Sequence, residues 1–248
     1  MKNIVKKVSS ILILLLTIGC LYAMSKGMVG IGLSYVLIGI HIIRLLIEAV
    51  AVRMIADKLT IREDIRIEIP RKVVHMLVCL ITIPMIYYAF KGTIHSIIFS
   101  IIILAVIVIC DKIGLAQKLA TRDGGGSDNV ASVYYLLTGY TINSLISLIL
   151  PQYTTGVLLG ATTLGLGDPA ACIMGKLLGK HKFKNGKSVE GFIGFILGAT
   201  ISMFIFTHIT IWKLVIISIA GAIAELISGD YDNLTIQLIV GLMVVIIL

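Results

Sequence analysis

The sequence predicts an all-α, polytopic membrane helical bundle, and three observations predict it. Hydrophobic residues fill 58% of the 248 positions, and charged residues only 14%. Mean hydropathy is +1.06. The apolar residues also fall into successive runs, each near the roughly 20 residues a helix needs to cross a hydrocarbon core. A soluble domain is roughly 45–50% apolar and about 25% charged, so a soluble fold would have almost no polar surface left. Disorder is excluded as well, because the chain has far too much apolar surface to leave in water.

The runs lie at 8–25, 28–51, 73–90, 93–113, 129–150, 152–175, 189–209, 212–229 and 234–248. The last is short, so the expectation is eight or nine transmembrane helices. The first run follows Lys2, Lys6 and Lys7 and resembles the apolar part of a signal peptide. It lacks a convincing cleavage site and reads as a retained anchor. The longest loops, 52–72, 114–128 and 176–188, hold no soluble domain, and no internal repeat is visible. Residues 1–248 therefore read as a single integral membrane domain. Asp123-Gly124-Gly125-Gly126-Ser127-Asp128 is a flexible turn by composition.

The formal charge of +8 rests on 21 basic and 13 acidic residues. With nine spans, 17 basic residues fall on one side of the bilayer and only 3 (Lys26, Lys91 and Lys213) on the other. The excess of Lys and Arg marks the cytoplasmic side. That places the N-terminus inside and, with nine spans, the C-terminus outside. The positive charge is thus membrane topology, and nucleic acid is not expected as a partner. Cys20, Cys79, Cys110 and Cys172 form no CxxC pair and read as small packing residues.

Ionisable groups inside spans are expensive and mark function by default. The segment Gly165-Leu166-Gly167-Asp168-Pro169 places a carboxylate in an apolar run. Asp168 suits a helix N-cap and Pro169 a first turn. The expectation is a span that breaks at Gly165–Gly167 and restarts at Pro169, with Gly175 and Gly179 on one face of the second half. Next, Lys187-Ser188-Val189-Glu190-Gly191 follows a basic loop. A cation, a hydroxyl and free N–H groups at a helix start suit a phosphate. It is not a Walker A loop, since His181 stands where the first glycine would be.

The third element, Pro70-Arg71-Lys72-Val73-Val74-His75, opens the third span. Arg71 and Lys72 share a helical face with His75, and the group suits a polyphosphate. Fourth, Glu225 lies late in the eighth span, before Asp230, Asp232 and Asn233, where a bound cation would explain the acidic charge. His41, Arg44 and Glu48 share one stripe of the second span and read as an interior ion pair. His95 and His208 read as interfacial. Orientation came from loop charges alone, yet Arg71, Asp168, Lys187–Glu190 and Glu225 all fall toward the cytoplasmic side.

These residues carry a resemblance. Arg71-Lys72-x-x-His75, Gly167-Asp168-x-x-Ala171 with Gly175 and Gly179, Lys187-Ser188-x-Glu190-Gly191, and Glu225 with Asp232-Asn233 resemble the dolichol kinase, phytol kinase and CTP-dependent diacylglycerol kinase family. The likeness covers residues 66–240, the expected catalytic core; residues 1–65 are less family-like. It implies phosphorylation of a lipid alcohol by CTP or ATP. It also implies that Arg71, Lys72, Asp168 and Gly175 match functional positions and that Lys187, Ser188, Glu190 and Gly191 match the nucleotide region. Cys172 departs from the pattern, standing where serine is frequent.

The chemistry expected of the set is phosphoryl transfer to an isoprenoid alcohol at the cytoplasmic face of the cell membrane. Such transfer is mainly positioning and charge neutralisation. Asp168, with Glu190, Glu225 or Asp232, would hold Mg²⁺. Arg71, Lys72 and Lys187 would neutralise the triphosphate, with Gly167, Gly175, Gly179, Ser188, Gly191 and Asn233 around the nucleotide. Asp168 or His75 would take the hydroxyl proton. Two other readings compete: a membrane cytidylyltransferase making a CDP-lipid, and a small transporter with coupling carboxylates in broken helices. The former typically carries a glycine-histidine-glycine-glycine run, which this chain lacks. The latter predicts an inverted repeat.

Overall fold

The computed structural model describes residues 15–90, 94–112 and 128–248, which are helical throughout apart from turns and one isolated bridge between Lys182 and Ser188. The helices are α1 (Leu15–Ser25), α2 (Ile31–Ala56), α3 (Glu63–Leu77), α4 (Ile83–Phe90), α5 (Ile94–Lys112), α6 (Asp128–Ile149), α7 (Thr154–Leu177), α8 (Val189–Phe206), α9 (Ile211–Ile227) and α10 (Asp232–Ile247). A π turn, Val78–Thr82, joins α3 to α4 into one 28-residue rod. Each expected apolar run overlaps a helix. Among the described residues, six segments are long and apolar enough to cross a membrane: Ile31–Ala56, Glu63–Phe90, Ile94–Lys112, Pro151–Leu177, Val189–Phe206 and Gly229–Ile247. The protein is an all-α, polytopic membrane protein. The glycine-rich stretch 123–127 lies outside the described residues.

Helix α7 is the centre of the bundle. Gly156 through Gly165 are all buried, and α3, α4, α6, α8 and α10 pack around it. The tightest neighbour is α8, and small residues explain why. A Cβ placed on Gly198 would stand 2.3 Å from the Leu166 carbonyl oxygen, and one on Gly194 would stand 2.8 Å from that of Ala170. Backbones approach this closely only where side chains are absent, the usual basis of helix association in lipid.

Two boundaries differ from expectation. α7 runs unbroken through Gly165-Leu166-Gly167-Asp168-Pro169, with Pro169 inside the helix. Asp168 is therefore a side chain on a continuous helix, not an N-cap. Local preference does disfavour a helix there, because proline removes a donor and restricts the residue before it. Packing on nearly every side overrides it. Likewise α3 begins at Glu63, and Pro70 lies inside it. The acidic pair Glu63 and Asp64 occupies its first turn, where the macrodipole favours negative charge. The π turn comes just before Pro84, and its wider backbone accommodates the ring and the missing N–H.

On α2 the expected ion pair forms, with Arg44 largely enclosed and Glu48 38% exposed rather than interior. Arg44 pairs with Glu48 at 3.2 Å and donates to the Thr17 hydroxyl. The buried His41 shares a 3.0 Å hydrogen bond with Thr82. His95 is bonded to the Tyr35 hydroxyl at 3.1 Å.

Gly198→Ala is expected to destabilise the bundle by about 1–3 kcal/mol through overpacking. Gly39→Ala, where a Cβ meets open space, should be silent. Thermal unfolding of the two variants in detergent tests this, and equal midpoints would contradict the close α7–α8 approach.

Candidate active site at one end of the bundle

The start of α3, the end of α7, the 178–188 hairpin, the start of α8, the end of α9 and the start of α10 lie at one end of the molecule. Side chains stitch them together. Arg62 donates to the Lys176 carbonyl at 3.3 Å, and Lys176 donates to the Asp64 carbonyl at 2.7 Å. These bonds fix α3 antiparallel against α7.

Between those helices sits the central ion pair. Lys72 Nζ lies 2.5 Å from Asp168 Oδ1, with the lysine side chain 8% exposed and the aspartate 20%. His75 Nε2 stands 3.7 Å from the other carboxylate oxygen. The histidine also lies against the Leu164 carbonyl and 3.7 Å from Cys79 Sγ. Lys72 and His75 are three apart on α3, so one helical face delivers both to the same carboxylate. Arg71 points to the neighbouring carboxylate, Glu68, with bonds of 2.9 and 2.6 Å. Lys176 reaches the other Glu68 oxygen at 3.3 Å. Charges thus alternate across the interface, from Lys176 through Glu68 to Arg71, and on to Asp168 and Lys72.

A second group forms around the hairpin. Its backbone closes through Phe183 N to the Lys187 carbonyl at 2.8 Å and Val189 N to the His181 carbonyl at 2.9 Å. Gly186 takes a φ of +85°, which suits glycine. Lys187 Nζ lies 2.7 Å from Glu225 Oε1 and also donates to the Glu225 carbonyl. Asn185 donates to the Leu226 carbonyl at 2.6 Å, so the hairpin is buttoned to the end of α9. Ser188 caps α8, accepting from Gly191 N at 3.0 Å. At the start of α10, Asp232 accepts from Asn233 N at 2.7 Å, and Asn233 donates to the Ser132 hydroxyl at 2.6 Å. Asp232 is within electrostatic range of Asp168, Lys187 and Glu225, so the two groups border one region.

Not every candidate converges. Glu190 turns to His181, at 2.7 Å from its Nδ1, and ties the hairpin rather than facing Asp168. Gly175, Gly179 and Gly191 pack around Ser188: a Cβ on Gly175 would lie 3.1 Å from its hydroxyl, and one on Gly179 or Gly191 would lie 3.0 Å from it. Gly167 lies against Phe195. The glycines thus let α7, the hairpin and α8 approach. Glu68 was not singled out by sequence, although its spacing of three from Arg71 and four from Lys72 was a readable signal. Among the described residues, no three His, Cys, Asp or Glu side chains gather as a metal cluster.

Chemically, the arrangement offers a carboxylate deep between helices and partly exposed cations around it. Arg71, Lys176 and Lys187 are 35%, 28% and 31% exposed, open to an incoming anion. In comparisons with known proteins, the chain is 36% identical to a dolichol kinase of Schizosaccharomyces pombe over 118 aligned residues, 42% of this chain. The match spans 23% of that protein's length. No family model matches the chain, and no solved structure does.

Removing one partner of a buried pair leaves an uncompensated charge, at a cost of about 3–5 kcal/mol. Lys72→Met is therefore expected to lower stability more than the double variant Lys72→Met/Asp168→Leu does. A double-mutant cycle of unfolding midpoints checks this; additive losses would show that the two side chains are not coupled.

Proposed function

We propose that the chain is a lipid-alcohol kinase, transferring the γ-phosphoryl group of CTP, or of ATP, to an isoprenoid alcohol of the dolichol, polyprenol, phytol or geranylgeraniol type at the cytoplasmic face of the cell membrane. The observation that carries the reading is the Lys72–Asp168 pair. It is a carboxylate held between two spanning helices, 2.5 Å from a cation, beside an imidazole and at the end of the bundle where partly exposed cations cluster. The likeness to a dolichol kinase supports the same reaction.

In this mechanism the alcohol oxygen attacks the γ-phosphorus, and the bond from that phosphorus to the β–γ bridging oxygen breaks. The nucleoside diphosphate leaves, and the hydroxyl proton passes to the Asp168 carboxylate. Lys72 and His75 fix the carboxylate's orientation, so the acceptor oxygen is in place before the alcohol arrives. Arg71 and Lys187 exchange their carboxylate partners for phosphate oxygens, and Lys176 borders the same path. Guanidinium and ammonium groups suit that exchange, because both bind carboxylate and phosphate alike.

The described carboxylates close no metal site by themselves, but they suit Mg²⁺ that arrives with the triphosphate. That ion is typically bound by one or two carboxylates plus substrate phosphates rather than by an all-protein cage. Asp232, with Glu225 near, would hold it, leaving Asp168 to take the proton. When bound it supplies neutralisation of the triphosphate charge.

Asp168→Asn is expected to lower phosphorylation of a polyprenol by about 100-fold or more, within the usual range for loss of a general base. Arg71→Ala combined with Lys187→Ala is expected to raise the apparent KM for nucleotide while leaving that for the alcohol near wild type. Both are read with purified protein, CTP and polyprenol in mixed micelles. Full activity of Asp168→Asn would remove this carboxylate from the chemistry.

A further inference from the structure

Beside the Lys72–Asp168 pair, α3 and α7 leave a cleft of about 100 Å³. Its walls are apolar, formed by Ile69, Val73 and Met76 on α3 and by Ile173 and Leu177 on α7, with Glu68, Lys72, Cys172 and Lys176 as the polar members. Ile173 and Leu177 are 50% and 56% exposed. On a helix that crosses a membrane, an exposed aliphatic side chain such as Ile173 borders lipid, which would give the cleft a mouth toward the bilayer. Its inner wall, by contrast, carries Lys72, which bonds the carboxylate given the role of proton acceptor.

We infer that this cleft is the seat of the alcohol's first isoprene unit, and that the rest of the chain stays in the bilayer. The inference rests on the lipid-kinase reading and deepens it. Three features point to that occupant. A lateral mouth admits a molecule dissolved in lipid without passage through water. An apolar cavity of roughly 150 Å³ takes up benzene, so the volume here suits roughly four or five carbons, one branched unit and no more. The buried polar wall of Lys72 and Glu68 meets the hydroxyl end. Specificity then resides in the unit next to the hydroxyl, and chain length beyond it is not read.

Cys172 makes the cleft observable without an activity assay. It lines the cleft, whereas Cys79 is buried. In a Cys20→Ser/Cys110→Ser background, in nanodiscs, the rate of N-ethylmaleimide labelling at Cys172 reads occupancy by mass spectrometry. Geraniol, geranylgeraniol and a long polyprenol at equal mole fraction are expected to slow labelling to a similar degree, and squalene, which lacks the hydroxyl, is not. Equal labelling with and without alcohol, or protection by squalene as strong as by the alcohols, would overturn the assignment.

Kinetics give the second arm. Ile173→Trp fills the mouth from a half-exposed position that tolerates bulk. It is expected to raise KM for the alcohol about tenfold with KM for nucleotide unchanged, the signature of lost ground-state binding. A kinase that is active, unprotected at Cys172 and indifferent to Ile173→Trp would refute the cleft and leave the kinase reading intact. Alcohol-specific protection without any phosphoryl transfer would uphold the cleft as an alcohol site and refute the kinase reading.

Discussion

A carboxylate placed among spanning helices must be compensated, and much of this end of the molecule is arranged around that requirement. Asp168 sits on the most enclosed helix, where an unpaired charge would cost several kcal/mol. Lys72 answers it from α3 at 2.5 Å, and His75 stands one turn further along the same face. For α3 to reach that position, its first turns must lie against the end of α7, where Arg62, Asp64, Glu68 and Lys176 hold it. The arrangement is expensive to build and poor as a source of stability. A hydrophobic pair of similar volume would hold the helices as well or better.

The second constraint is backbone proximity. α7 and α8 touch so closely that Gly194 and Gly198 have no room for a methyl group. Ser188 and Gly191 extend that contact to the hairpin, and Lys187 then falls on Glu225. Packing of small residues in the membrane thus sets the position of a charged loop at its edge. Gly175, Gly179 and Gly191 pack around Ser188 in the same way.

Much of this was legible in the sequence. Apolar runs of spanning length gave the helices. The loop charges placed Arg71, Asp168, Lys187 and Glu225 toward one side before any contact was known, and the folded chain brings their elements to one end. What failed was local. Gly165-Leu166-Gly167-Asp168-Pro169 reads as a break, yet neighbours on nearly every side keep the helix intact. α3 starts at Glu63, well before Pro70, because Glu63 and Asp64 supply the charges that a helix start favours. Glu68 escaped notice because an acidic residue in a basic loop reads as surface. Only the fold shows it 4% exposed and shared by Arg71 and Lys176.

In the proposed reaction a lipid hydroxyl takes the terminal phosphoryl group at Asp168. The most direct measurement incubates the purified chain with a polyprenol and CTP labelled either at the γ- or at the α-phosphorus, then counts label in the extracted lipid. Label is expected in the lipid from the γ-position only, with CDP released. Label from the α-position, with pyrophosphate released, would mean nucleotidyl transfer and would contradict the proposed reaction.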